Sequence, residues 1–263
     1  MKLTIIGAGN MGSAIACSLG SRMKHNGLEI CCADPIPEKL MKIKEANASI
    51  EVTTDNLMAV KDADIVIIAV KPWLVETVID EIKETLDYKN MIVVSIAAGI
   101  DFFQLCRYLQ KEDGEIPAIF RIIPNTAIAV KESVNFISAC NATQTQSGLI
   151  QKIFEELGLA ITVEERLIPA CTALSSCGIA FAFRYIRAAV AGAVELGINP
   201  ELAKKIEMQT LRGAITLLEA NNSHPEAEID KVTTPGGITI KGLNAMEEAG
   251  FTSAVIKGLK ASV

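Results

Sequence analysis

The sequence predicts an α/β protein, in which a doubly wound, mostly parallel sheet is followed by an all-helical second domain. Up to about residue 163, short runs rich in Ile and Val alternate with longer segments of helical spacing. The short runs are continuously apolar rather than alternating, as strands covered by helices on both faces must be. Past Glu164 such runs disappear, and Ala-rich segments of helical period take over. The expected domains are therefore 1–163 and 164–263, a division that suits a chain of 263 residues.

The strands expected in order are Leu3–Ile6, Glu29–Cys32, Ile65–Val70, Met91–Ile96, Ala118–Ile122, Val134–Ser138 and Ala160–Val163. Helical spacing marks Ser13–Met23, Pro37–Glu45, Leu74–Leu86, Phe102–Leu109 and Gln144–Leu157, the last ended by Gly158. From Arg166 to about Leu196 the only proline is Pro169, and Gly197 supplies a C-cap. One continuous helix there is roughly 46 Å long. A second begins at Pro200 and runs to about Ala220, and two shorter helices flank Gly250. The uncharged stretch Leu167–Phe183 is interrupted by Thr172, Ser175 and Ser176, and it is at or below the length of a membrane span. It reads as a helix buried in protein. A domain of about 100 residues cannot cover so long an apolar helix by itself, which predicts intertwining with a partner chain.

Composition narrows the functions. A net charge of −6, from 25 basic and 31 acidic residues, lacks the concentrated basic surface that nucleic acid requires, so neither nucleic acid nor membrane is expected as a partner. Seven cysteines form no regular framework, and Cys31 and Cys32 are adjacent in a strand and project to opposite faces. They read as reduced, buried thiols. With no CxxC and only His25 and His224 as histidines, no metal is expected. The amino terminus turns to Gly and Asn too early for a signal-peptide apolar region, so a cytoplasmic location is expected.

The first strand breaks into Gly7-Ala8-Gly9-Asn10-Met11-Gly12, a G-x-G-x-x-G run that opens a helix. Its glycines allow a tight turn, close approach of a pyrophosphate and close helix–strand packing, and the helix N-terminus favours phosphate. The second strand then ends in Asp34, 22 residues after Gly12. Strand, glycine run, helix and acid in this order mark a Rossmann-type dinucleotide site. A carboxylate at Asp34 would bind the adenosine ribose hydroxyls and repel a 2′-phosphate. With only Lys39 and Lys42 as nearby cations, the cofactor leans to NADH over NADPH. Ala69-Val70-Lys71-Pro72 lies beyond a strand's carboxyl end, where ligands of open α/β sheets bind, and Pro72 suits the first turn of a helix.

Near the other end, Thr233-Thr234-Pro235-Gly236-Gly237-Ile238-Thr239 sits between two helices. Gly236 and Gly237 let a ligand approach the backbone, and a helix starting near Ile238 aims free N–H groups at a small carboxylate. Thr239, in its first turn, is placed to donate a hydrogen bond to an imine or amine nitrogen.

These residues resemble the pyrroline-5-carboxylate reductase family over essentially the whole chain. The resemblance rests on Gly7–Gly12, Ala69–Pro72, Arg121-Ile122-Ile123-Pro124-Asn125-Thr126, Ala173-Leu174-Ser175 and above all Val232–Thr239, preceded by His224-Pro225. It implies NAD(P)H-dependent reduction of a cyclic imine to L-proline, and a helical C-terminal domain that forms a homodimer, or a larger homo-oligomer built from it, and contributes to the partner's active site. It further implies Asn56 near the adenine, Lys71, Pro72, Ala97 and Asn125 along the nicotinamide half, Thr239 at the substrate nitrogen, and Thr234, Gly236 and Gly237 around the carboxylate. Ser175 is a second, weaker catalytic candidate, and first of all a residue that helix packing would use. The chain departs from the family pattern at Ala127, at Ser175-Ser176-Cys177-Gly178-Ile179-Ala180-Phe181 and at Asn222.

Imines protonate readily near neutral pH, so such a site needs no strong general acid, in keeping with the lack of an obvious His, Asp or Glu. The alternatives are a reductase of a related cyclic imino acid and a non-catalytic NAD(P)-binding regulator. A β-hydroxyacid dehydrogenase shares the two-domain plan but needs a lysine early in the long helix. Between Leu167 and Leu196 there are Arg184 and Arg187 and no lysine.

Overall fold

The structure, a computed structural model, describes residues 1–22 and 27–263; Met23 and His25 lie outside the described residues. Eight strands form one sheet: β1 Lys2–Ile6, β2 Glu29–Ala33, β3 Glu51–Thr53, β4 Ile65–Ile68, β5 Ile92–Ser95, β6 Ala118–Ile123, β7 Ser133–Cys140 and β8 Gly158–Thr162. Their order is β3-β2-β1-β4-β5-β6-β7-β8. β1 to β6 pair in parallel, β7 pairs antiparallel to β6, and β8 is parallel to β7. The order reverses between β1 and β4, which makes their carboxyl ends the switch-point crevice of a doubly wound sheet.

The helices of this part are α1 Asn10–Arg22, α2 Pro37–Ala46, α3 Asn56–Val60, α4 Val75–Ile82, α5 Phe102–Leu109, α6 Gln144–Glu155 and α7 Ile168–Thr172. The two faces of the sheet carry separate cores. Leu3, Ile5, Ile65 and Ile67 pack on one side with Ile15, Leu19, Phe120 and Phe154. Ile6, Val66 and Ile68 pack on the other with Ile79, Ile82 and Leu105. Alternate residues of the same strand are apolar on both faces, which is why these strands read as unbroken apolar runs.

Three differences from the sequence reading have local causes. β3 and α3 escaped it because β3 is a three-residue polar edge strand with no buried residue, and α3 is a single turn capped by Asp55. The segment expected as one helix over 74–86 is divided into a 3-10 turn Pro72–Leu74, α4, and a second 3-10 turn Lys83–Thr85. The long helix expected from Arg166 begins as a 3-10 turn at Glu165–Leu167, continues as α7, widens into a π-turn at Ala173–Cys177, and resumes as α8 Gly178–Glu195.

The chain divides into two compact units, Met1–Ser176 and Cys177–Val263. This division falls later than residue 163 because the chain after β8 still packs on the sheet: Ile168 joins Ile123 and Phe136 in a small cluster. The second unit holds α8, α9 Pro200–Asn221, α10 Pro225–Val232, α11 Ile238–Glu248 and α12 Phe251–Lys260. Gly197 (φ +90°) ends α8, and Asn199 caps α9 by accepting the Glu201 N–H at 3.0 Å. Among the described residues of this unit only Ala203 is buried, so its apolar side chains have no core of their own. The 31 residues Glu165–Glu195, whose most apolar 18-residue window has a mean hydropathy of 1.4, are long and apolar enough to cross a membrane by length and composition.

Candidate active site

Each expected cofactor residue follows the carboxyl end of one of the first six strands. Gly7–Gly12 follows β1, Asp34 follows β2, Asn56 lies just past β3, Ala69–Pro72 follows β4, Ala97 follows β5 and Asn125 follows β6. The topology thus gathers all of them along one edge of the sheet, where an open α/β fold binds its ligands.

The three glycines of the first loop have different physical duties. Gly7 has φ +108°, and a Cβ there would lie 2.7 Å from the Ala69 carbonyl oxygen. At Gly12 a Cβ would overlap the Gly7 carbonyl oxygen. These two let β1, α1 and the end of β4 close on one another. A Cβ at Gly9 meets nothing within 4 Å, so the bare backbone there faces open space. A pyrophosphate fits this place, beside the N-terminus of α1. Ser13 Oγ braces the loop by donating to the Ala8 carbonyl at 2.9 Å.

Asp34, expected at the ribose, is buried and engaged by its own chain. Its Oδ2 accepts the Ala8 N–H at 2.8 Å and its Oδ1 accepts the Ile36 N–H at 3.0 Å. Lys39 Nζ lies 3.2 Å from Oδ1 and 3.0 Å from Oδ2. A carboxylate has about four acceptor positions, and these contacts fill them. The acid therefore ties the glycine loop to the start of α2 and is neutralised by a lysine. Beside it Ala8, Gly9, Asn10, Ser13, Lys39 and Lys42 line a cavity of about 390 Å³. The sequence named the two lysines only as the nearest cations.

The remaining strand-end residues divide between exposed and committed groups. Lys71 is exposed, and the Asn56 amide donates to Glu81 Oε2 at 2.8 Å. Ala97 is buried. Asn125 is a buried joint: Oδ1 accepts the Ala127 N–H at 3.0 Å, and Nδ2 donates to Ser175 Oγ at 2.9 Å. Ser176 Oγ donates to the Pro124 carbonyl at 3.1 Å. Both serines lie in the π-turn, a distortion common at functional sites, so the widened turn is pinned to the loop after β6. Ser175 acts here through Asn125. The role of Ser176 was missed, and its one signal was a serine pair inside an apolar helix.

Nearby, Arg121 on β6 is buried and pairs with Glu165 Oε1 at 2.5 Å, while the same carboxylate accepts the Phe102 N–H at 2.7 Å. Removing one member of a buried pair costs about 3–5 kcal/mol. The Glu165 side chain is 34% exposed, which lowers the expected loss for Glu165→Ala to about 2 kcal/mol. Urea unfolding measures it, and a change under about 0.5 kcal/mol would show the pair to be dispensable. All seven cysteines are free, and burial pushes the Cys32 thiol up to about 12 and the Cys106 thiol up to about 11. Neither is a nucleophile near neutral pH.

In the second unit, Thr234-Pro235-Gly236-Gly237 forms a tight turn in which the Gly237 N–H donates to the Thr234 carbonyl at 2.9 Å. Proline in second place and Gly236 at φ +73° in third are the marks of a type II turn. Gly237 admits no side chain, since a Cβ would lie 2.6 Å from Thr234 Oγ1. At Gly236 it would meet open space. Gly237 is also the N-cap of α11 and offers no side-chain bond. The first N–H groups of α11 are therefore left for an anion, with the exposed Thr239 in the same turn.

Residues 165–263 match the family model described as "Pyrroline-5-carboxylate reductase dimerisation", and residues 2–99 match "NADP oxidoreductase coenzyme F420-dependent". Pyrroline-5-carboxylate reductase 2 of Dictyostelium discoideum is 36% identical over 271 residues, covering 98% of this chain and 89% of that protein. The chain belongs to the pyrroline-5-carboxylate reductase family. Pyrroline-5-carboxylate reductase 1 of the same organism is 38% identical over 99% of this chain, which spans 48% of that longer protein. Among solved structures, Plasmodium falciparum pyrroline carboxylate reductase with NADP bound superposes with a TM-score of 0.87 at 25% identity, covering 100% of this chain and 95% of that one. Membership in this family explains the second unit: it belongs to the dimerisation region, which accounts for apolar side chains without a core of their own. The same membership leaves the β-hydroxyacid dehydrogenase alternative without support.

Proposed function

We propose that this chain reduces 1-pyrroline-5-carboxylate to L-proline, the last step of proline biosynthesis, with NADPH or NADH as hydride donor. The observation that carries this reading is the uncapped start of α11 after the Thr234–Gly237 turn, in a chain that also holds a dinucleotide cradle. The glycine turn and the helix N–H groups bind the substrate carboxylate, and Thr239 holds the ring nitrogen by its hydroxyl. The reductase works in the cytoplasm, and dimers associate into a larger homo-oligomer.

A bound reduced nicotinamide supplies the hydride. The rest is done by side chains and backbone. Asn125, held by Ser175, fixes the floor of the nicotinamide half. Positioning of this kind is worth up to roughly 7–11 kcal/mol of barrier. Thr239 orients the nitrogen and relays its proton from water, so no residue with a displaced pKa is needed at the site.

The test is spectrophotometric oxidation of NADPH and of NADH on adding 1-pyrroline-5-carboxylate, beside a six-membered cyclic imino acid. Turnover of the five-membered ring is expected. Turnover of the larger ring alone would move the assignment to a related imine, in line with the departures at Cys177 and Ile179. Tight dinucleotide binding with no turnover of either imine would leave the chain a regulator.

A further inference from the structure

We propose that Ser176 is a positioning residue for the hydride transfer, and that it acts by clamping the peptide bond between Pro124 and Asn125. This rests on the reductase reading and adds a residue to it. Pro124 and Asn125 lie just past the end of β6. A peptide bond is planar, so holding both its carbonyl and its N–H fixes the plane. Side chains hold both atoms here. Ser176 Oγ donates to the Pro124 carbonyl at 3.1 Å, and the Asn125 N–H donates to Ser133 Oγ at 3.1 Å.

The side chain carried by that plane is fixed as well. Asn125 Oδ1 accepts the Ala127 N–H at 3.0 Å, and Nδ2 donates to Ser175 Oγ at 2.9 Å. Asn125 is the residue expected along the nicotinamide half, and four bonds set its place. Two of them come from serines 50 and 52 positions away, in the stretch that opens the dimerisation region.

The helix is shaped for these two contacts. A regular α-helix sets neighbouring side chains about 100° apart. The π-turn Ala173–Cys177 is wider and narrows that angle, so adjacent hydroxyls reach adjacent residues of the loop. Just before it, Thr172 Oγ1 donates to the Ile168 carbonyl at 2.7 Å, a back-bond that loosens the helical ladder. An alanine would fill nearly the same space as Ser176, so packing alone gives no reason for the hydroxyl. The Pro124 carbonyl does.

Hydrogen exchange of the free protein and isotope-resolved kinetics test the clamp together. The Ala127 and Ile128 amides both donate to Asn125, so their exchange reads how firmly the loop is held. Ser176→Ala is expected to speed exchange at both about tenfold and to leave the β1 and β4 amides unchanged. With 1-pyrroline-5-carboxylate, the same variant should lower kcat about tenfold and keep KM for the imine within twofold. The primary isotope effect with a C4-deuterated donor should rise, because misalignment slows hydride transfer itself. Ser176→Thr keeps the hydroxyl and should restore all three readouts. Wild-type exchange at Ala127 and Ile128 in Ser176→Ala overturns the clamp. A fall in kcat without a larger isotope effect, or one that Ser176→Thr does not recover, overturns the positioning role. A wild-type chain that turns over no imine overturns the reductase reading and this proposal with it, and exchange of the free protein tells the two failures apart.

Discussion

Gly9→Val is expected to abolish dinucleotide binding while the protein stays folded. The prediction comes from the unequal surroundings of the three loop glycines. A Cβ at Gly9 touches no protein atom within 4 Å, and its φ is not in the left-handed region, so valine meets neither clash nor backbone strain. The same open space is where a pyrophosphate must approach the main chain. Two methyl groups there hold the phosphates away from the N–H groups of α1, and a loss of about 100-fold in affinity is expected, or about 2.8 kcal/mol. Gly12→Val is the contrast: its side chain would overlap the Gly7 carbonyl, which forces α1 off the sheet and unfolds the unit. Calorimetric titration with NADPH and with NADH measures the loss. Binding by Gly9→Val within threefold of wild type would move the pyrophosphate elsewhere.

What the sequence disclosed depended on whether the signal was local. The parallel sheet was legible because residues such as Ile65–Ile68 are buried on both faces and carry no alternation. Six strand ends therefore came with the residues expected to meet the cofactor attached. The turn at Thr234–Gly237 was legible for a similar reason, as a Pro-Gly-Gly order dictates its backbone by itself. The role of Asp34 was not. A carboxylate at that position reads as a ribose anchor, and its bonds to its own chain leave no local mark in the sequence. Its capture by Lys39 and the Ala8 N–H brings together residues from the end of one strand, one turn into a helix and the loop of another strand. The π-turn was hidden too. It is held by two hydrogen bonds, one that Ser175 accepts from Asn125 and one that Ser176 donates to the Pro124 carbonyl, both to residues about fifty positions earlier, and no periodicity within the helix records them.

Thr239→Ala is expected to lower turnover by about 10²-fold and to leave the affinity for either nicotinamide dinucleotide within twofold. Thr239 is exposed in its unit and lies in the first turn of α11, so its removal should change stability by no more than about 0.5 kcal/mol. The loss is then chemical. The hydroxyl that orients the imine nitrogen is gone, while the glycine turn and the free N–H groups that hold the carboxylate remain. For that reason KM for the imine should rise much less than kcat falls. Thr239→Ser keeps the hydroxyl and should recover most of the rate, whereas Thr239→Val keeps the volume without the hydroxyl and should behave like alanine. A Gly236 variant probes binding instead, because at φ +73° any side chain strains the turn that precedes the free N–H groups of α11, and it should raise KM. If Thr239→Ala and Thr239→Val turn over at the wild-type rate, the proton reaches the nitrogen from solvent alone, and α11 serves only to bind the carboxylate.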